Sequence, residues 1–261
     1  MQPVSAVFFF LLSLLAACLP AAAAQGDSDP RMIAPRSLLI TYHTAPANRE
    51  KLRDHMLGAG LKNFAQWKSE GTIADYHVYF NRYADSTGWD MLAIVTLTAQ
   101  NGTARWARVE AGHPGGLDEA ALALTTSIDT AVSDRVRSKS QSAKTGKPPV
   151  YLFIPYEYLV SVNDYIKYAD GYVLPQTDGW MQEGILAGYD FYIARYPAGR
   201  PWNAAFMFQY MDEDGLGARD VTVAKVRERL KQNAEWKAIA DNKHNVRDEK
   251  PPVVADELIA R

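Results

Sequence analysis

The sequence predicts an α+β protein made of two copies of a split β-α-β-β-α-β unit that face one another through their sheets as an intrachain pseudo-dimer. Three observations predict it. Trp67 to Trp89 reads WKSEGTIADYHVYFNRYADSTGW, and 113 residues later Trp180 to Trp202 reads WMQEGILAGYDFYIARYPAGRPW. The two share 9 identities over 23 ungapped positions, where average composition supplies about one or two. Each copy is flanked by the same order of strand and helix patterns. The strands at 91–97 and 204–210 are apolar on both faces, so each sheet needs helices on one side and a second apolar cover, the other copy, on its other side.

The elements of the first unit, 36–133, follow in order. SLLITYHT (37–44) is rich in β-branched and aromatic residues and reads as a strand. Pro46 opens a helical stretch in which Leu52, Met56, Phe64 and Trp67 recur on one face. ADYHVYFNRY (74–83) and WDMLAIVTL (89–97) read as strands joined by the hairpin-length loop ADSTG. After the turn pair Asn101-Gly102, the stretch to residue 133 reads as a second, interrupted helical region. DRVRSKSQSAKTGKPP (134–149) has no apolar period and reads as a solvated linker with five basic residues.

The second unit, 150–261, repeats the order. VYLFIPYEYLV (150–160) is a strand, Ser161-Val-Asn-Asp164 a capping box opening a helix, and 188–196 and 202–210 the hairpin. VTVAKVRERLKQNAEWKAIA supplies the closing helix, and PPVVADELIA (251–260) reads either as a fourth strand or as a frayed tail.

With 261 residues, 48% hydrophobic and 22% charged, the chain holds enough apolar material for one sizeable core or two small ones. Its formal net charge of −2 gives no general attraction to nucleic acid or acidic membranes. The uncharged apolar run 6–17 and the small residues after it have the layout of a secretory signal, too short for a permanent membrane-spanning helix. Two processing readings stand. Ala22 and Ala24 fit a cut before Gln25, giving a signal over 1–24 and a flexible segment over 25–35; Leu15-Ala16-Ala17-Cys18 instead resembles a lipobox, giving a signal over 1–17 and a lipidated Cys18. Both imply export to the periplasm or outside, the second with a membrane anchor. Cys18 is the only cysteine, so the folded part has neither disulfides nor thiolate chemistry.

The duplicated strand and helix order, with its twin apolar hairpins, resembles the dimeric α/β-barrel superfamily. That superfamily includes the antibiotic-biosynthesis monooxygenases, the EthD-like and stress-responsive barrel proteins, and the chlorite dismutase and dye-decolourising peroxidase group. The resemblance implies two ferredoxin-like units packed sheet to sheet, here as a fused tandem covering most of the mature chain. It rests on element order and duplication rather than on a residue motif, so no catalytic position is carried over from it.

Candidate site residues come from the strand faces. His77, Tyr79 and Tyr83 share one face of the first hairpin, and Asp190, Tyr192 and Tyr196 share the matching face of the second. Phenols, an imidazole and a carboxylate converging on an apolar space suit a small aromatic ligand, and also proton transfer. Trp67, Trp89, Trp180 and Trp202 read either as core or as the lining of such a space. Glu70 with Arg82, and Glu183 with Arg195, recur together and read as structural ion pairs. The five histidines lack zinc-ligand spacing, so no metal site is predicted. For haem, which the resemblance implies for part of the superfamily, His77 or His43 is the candidate axial ligand, as each is the candidate base. MDEDGLGARD (211–220) lacks the third glycine of a dinucleotide loop and the ligands of a calcium loop, and reads as an acidic turn. The leading function is binding of a small apolar or aromatic molecule between the units, as a monomer or a dimer of pseudo-dimers. The alternatives are a cofactor-free monooxygenase or haem-handling enzyme, and a non-catalytic envelope interaction protein.

Overall fold

The computed structural model describes residues 36–142 and 146–260; the predicted signal, Cys18 and the segment 25–35 lie outside them. β1 (Arg36–Thr44) alternates as a strand should: Leu38, Ile40 and Tyr42 enter one apolar cluster and Leu39 another. α1 (Arg49–His55) and α2 (Leu61–Ser69) follow, joined by a π turn over Met56–Gly60. β2 (Ile73–Asn81) and β3 (Met91–Leu97) form the hairpin. Asn101 then takes the left-handed conformation, at φ 57°, to start α3 (Gly102–Gly112). The region expected to be helical through residue 133 stops early. α4 (Glu119–Leu124), capped by Asp118, gives way at once to the 16-residue strand β4 (Thr125–Ser140).

The second half repeats this order with β5 (Val150–Tyr158), α5 (Val162–Tyr168), α6 (Leu174–Gln182), β6 (Leu186–Ala194) and β7 (Ala204–Tyr210). Ser161 caps α5 by accepting from the Asp164 amide at 3.2 Å, as the capping box predicts. A second π turn, Ala169–Val173, separates α5 from α6 113 residues after the first, so the duplication extends beyond the tryptophan-bounded hairpins. The acidic turn contains a short helix, α7 (Glu213–Gly217), capped by Asp212. α8 (Arg219–Leu230) and α9 (Ala234–Asp241) divide the expected closing helix, because Asn233 caps a new start. β8 (Arg247–Glu249) and β9 (Val253–Glu257) end the described chain.

Each half has strand order fourth-first-third-second: β4-β1-β3-β2 and β9-β5-β7-β6. The halves face one another sheet to sheet as expected, and their edges are in addition hydrogen-bonded into one closed barrel. β4 pairs with β1 through its first part and with β6 through its second, for example Leu39 with Ala131 and Asp134 with Ile193. β9 likewise bridges β5 and β2, pairing Phe153 with Val253 and Tyr79 with Glu257. Eight antiparallel strands thus close on themselves, with β8 attached to the end of β5. Equivalent strands lie four places apart and run the same way, so the pseudo-two-fold axis lies along the barrel. The predicted linker at 134–149 is corrected accordingly: residues 134–140 belong to β4 and form a seam between the halves. Closure removes the exposed edges that open sheets present.

Helices cover the barrel outside over two apolar clusters, one per half, and a third cluster fills the bore. An eight-stranded bore is just wide enough for side chains to fill it. The predicted ion pairs also require correction. Arg82 pairs with Asp256 of β9 and with Glu213, while Arg195 pairs with Asp134 of β4. Glu70 accepts from Gln66, and Glu183 pairs with Lys225 and Arg229. Both recurring arginines therefore fasten a hairpin of one half to the bridging strand of the other. The backbone follows the same plan, with Arg82 N–H donating to Val254 O at 2.9 Å and Arg195 N–H to Val132 O at 2.8 Å.

Candidate functional site

Alternation on the barrel strands turns His77, Tyr79, Asp190 and Tyr192 into the bore, as the strand faces predict. They gather toward one end. His77 Nδ1 bonds Glu257 Oε1 at 2.6 Å, and Tyr151 donates its hydroxyl to the other oxygen of Glu257 at 2.7 Å. The Tyr79 and Tyr151 rings lie 4.8 Å apart. Asp190 lies 3.5 Å from Arg135. His77 and Asp190 occupy equivalent places in the repeat, and so do Glu257 and Arg135 on the two bridging strands, so the charges are reversed between the halves. Burial pushes the Tyr79 and Tyr192 phenols well above their ordinary value, with Glu257 and Asp190 adding to it, so both remain protonated and are poor bases.

The bond that His77 donates to Glu257, against some opposing burial, raises the His77 pKa above its ordinary value of 6.5. Burial pushes the Glu257 carboxyl up, but its bonds from His77 and Tyr151 outweigh that and hold it below its ordinary 4.5. The histidine contribution to stability is therefore complete below about pH 6.5 and disappears as pH rises through the raised folded value. The glutamate contribution is present above about pH 4.5 and disappears as pH falls through the lowered one. His77 is half-exposed, so solvent screening keeps the pair to about 1 kcal/mol or less. Urea unfolding between pH 5 and 9 is expected to show a decline on the alkaline side that His77→Gln flattens; parallel curves would contradict it.

Tyr83 and Tyr196 do not join this cluster, being 65% and 70% exposed on the hairpins at the other end. Tyr196 there lines a cavity of about 710 Å³ in the barrel mouth. β1 contributes Leu39, Thr41 and His43, β4 contributes Asp129 and Ala131, and the two hairpin loops contribute Trp89, Arg200 and Trp202. The floor is a row of crossed rings, Trp89 on Phe153 at 6.0 Å and 72°, then Phe153 on Trp202 at 6.0 Å and 80°. Trp89 and Trp202 thus line the cavity, whereas Trp67 and Trp180 pack in the outer clusters. The buried Trp89 indole N–H has no hydrogen-bond partner among the described residues. Sequence reasoning missed Asp129, because β4 was read as helix, and Arg200, which stands in a loop. The available signal was the polar inner face of β1, Thr41 and His43, continuing past Leu39.

Of the two candidate haem ligands, His77 is bonded through Nδ1 to Glu257 and does not line the barrel-mouth cavity. His43 lines the cavity together with Trp89, Phe153 and Trp202. Among the described residues no cluster of three or more His, Cys, Asp or Glu is arranged to hold a metal ion, and no helix is long and apolar enough to cross a membrane.

Solved structures similar to the chain include a provisionally assigned monooxygenase from Lactobacillus acidophilus NCFM, at TM-score 0.54 and 13% identity, covering 87% of this chain and 95% of that one. The fold is that of the dimeric α/β barrels. An anthrone oxidase-like protein matches at TM-score 0.54 and 13% identity, over 87% of this chain and 91% of that one. A second provisionally assigned monooxygenase, from Fusobacterium nucleatum subsp. nucleatum ATCC 25586, matches at TM-score 0.50 and 12% identity, over 87% and 93%. No protein-family model and no curated relative matches the chain. At these identities the similarity establishes the fold and does not carry an activity with it.

Proposed function

We propose that this is an exported protein that binds a small, flat, apolar molecule in the barrel mouth, gripped by both halves. The observation that carries the reading is the cavity of about 710 Å³ floored by Trp89, Phe153 and Trp202. Ligand pockets run about 300–1,000 Å³ and combine an apolar wall with a few polar groups. His43, Asp129 and Arg200 supply those groups here. The apolar run 6–17 supports export. This site differs from the one predicted: of the six candidate ligand residues, only Tyr196 belongs to it.

The test is titration of the full chain with naphthol, followed by tryptophan fluorescence. Saturable quenching is expected, weakened about tenfold or more by Ala131→Phe, which fills the cavity from the barrel wall. Absence of saturation, or quenching indifferent to that substitution, would sink the reading.

A second reading adds chemistry, because the His43 side chain lines the cavity without a partner among the described residues. In it, His43 takes a proton from a methylene carbon flanked by aromatic rings. Dioxygen from solution then oxidises the carbanion, one oxygen atom entering the product as a carbonyl and the other leaving as water. Oxygen uptake with anthrone, lost in His43→Ala while naphthol binding persists, is the expected signature; no uptake by the native chain leaves the protein a binder only.

A further inference from the structure

We infer that the ligand of the barrel mouth is a hydroxylated aromatic carboxylic acid, its carboxylate held by Arg200 and its hydroxyl by Asp129. This rests on the mouth being the binding site. Arg200 stands in the loop between β6 and β7 and is fixed there by the barrel itself: its Nη2 donates to Thr130 O on β4 and its Nε to Tyr196 O at 3.3 Å. Both acceptors are neutral carbonyls. Among the described residues no carboxylate pairs with this guanidinium, and its Nη1 has no partner. The other ammonium or guanidinium of the lining behaves differently, since Lys250 is neutralised by Glu157 at 2.6 Å.

Asp129 is the next residue to the carbonyl that anchors Arg200, and it too lines the cavity. Its side chain has no partner among the described residues, and it does not form an ion pair with Arg200. A cation and an anion therefore face one cavity without satisfying each other, above three aromatic rings. A charged group beside apolar surface gains most from a ligand that replaces its lost water with hydrogen bonds. Arg200 has a free edge for a carboxylate, and Asp129, an acceptor only, takes a donor such as a phenolic hydroxyl. The Trp89, Phe153 and Trp202 rings match a flat aromatic body between the two groups.

The experiment compares a hydroxynaphthoic acid with its methyl ester by calorimetric titration of the full chain at neutral pH, for the native protein, Arg200→Met and Arg200→Lys. The acid is expected to bind about tenfold or more tightly than the ester, the fold-change of a charge-assisted bidentate contact. Arg200→Met is expected to abolish that ratio by weakening the acid far more than the ester. Arg200→Lys is expected to keep part of the ratio. Equal binding of acid and ester by the native chain, or an equal loss for both ligands in Arg200→Met, overturns the inference and leaves the mouth as a binding site. Binding of neither ligand overturns both.

Discussion

Arg195→Ala is expected to cost about 3–5 kcal/mol of stability, whereas the same change at Arg82, its equivalent in the repeat, is expected to cost about 0–1 kcal/mol. The difference comes from what each arginine leaves behind. Asp134 is completely buried, and Arg195 reaches its Oδ1 with Nε at 2.9 Å and Nη2 at 2.8 Å. Removing the guanidinium strands a carboxylate in the seam between β4 and β6. Asp256, the partner of Arg82, is 41% exposed, and Glu213 is 66% exposed, so water takes over when Arg82 is removed. Urea unfolding of the two variants measures the contrast. Adding Asp134→Asn to Arg195→Ala is expected to recover a large part of the loss, because the stranded charge is then gone. Equal costs at the two positions would mean that the seams are not fastened in this unequal way.

The buried pair of Arg49 and Asp90 carries the second large expectation, again about 3–5 kcal/mol for Arg49→Ala or Asp90→Ala alone. Both residues are under 10% exposed, and Arg49 is further committed to Asn81 O at 2.8 Å. Asp90 Oδ2 also accepts from the Thr44 amide at 2.7 Å. Together these bonds hold the ends of β1 and β2 and the start of β3 beside the cavity. The second half keeps the geometry without charge: Asn203, the counterpart of Asp90 113 residues on, accepts from the Tyr158 amide at 2.8 Å. Uncharged bonding at this place is thus compatible with the fold. The double replacement Arg49→Met with Asp90→Asn is therefore expected to cost clearly less than the sum of Arg49→Met and Asp90→Asn made singly. Additive costs in the cycle would contradict a coupled pair.

The duplication, the order of elements and the inward face of each hairpin were legible because they depend on local periodicity and on self-similarity within the chain. Tyr79 and Tyr192 point into the bore for the same reason that alternate residues of any strand share a face. β4 was not legible. Its outward Ile128, Val132 and Val136 do alternate, but Asp129, Asp134, Arg135, Arg137 and Lys139 mask the pattern, and that charge is tolerated because it serves a seam and a barrel end rather than a core. The arginine partners were missed for a related reason: recurrence pointed to Glu70 and Glu183, whereas strand pairing across the seams decides the contact. The cavity depends on where two loops and a bridging strand meet around a closed barrel, which no window of sequence contains. Its aromatic floor was visible only as one of two readings of Trp89 and Trp202.

The mouth as the binding site is tested most directly by the indole N–H signals of the six tryptophans in a nitrogen–proton correlation spectrum, recorded during titration with hydroxynaphthoic acid. The account predicts that the signals of Trp89 and Trp202 move together and saturate, while those of Trp67, Trp106, Trp180 and Trp236, packed in the outer clusters, stay in place. Movement of the outer four with Trp89 and Trp202 unchanged would contradict it.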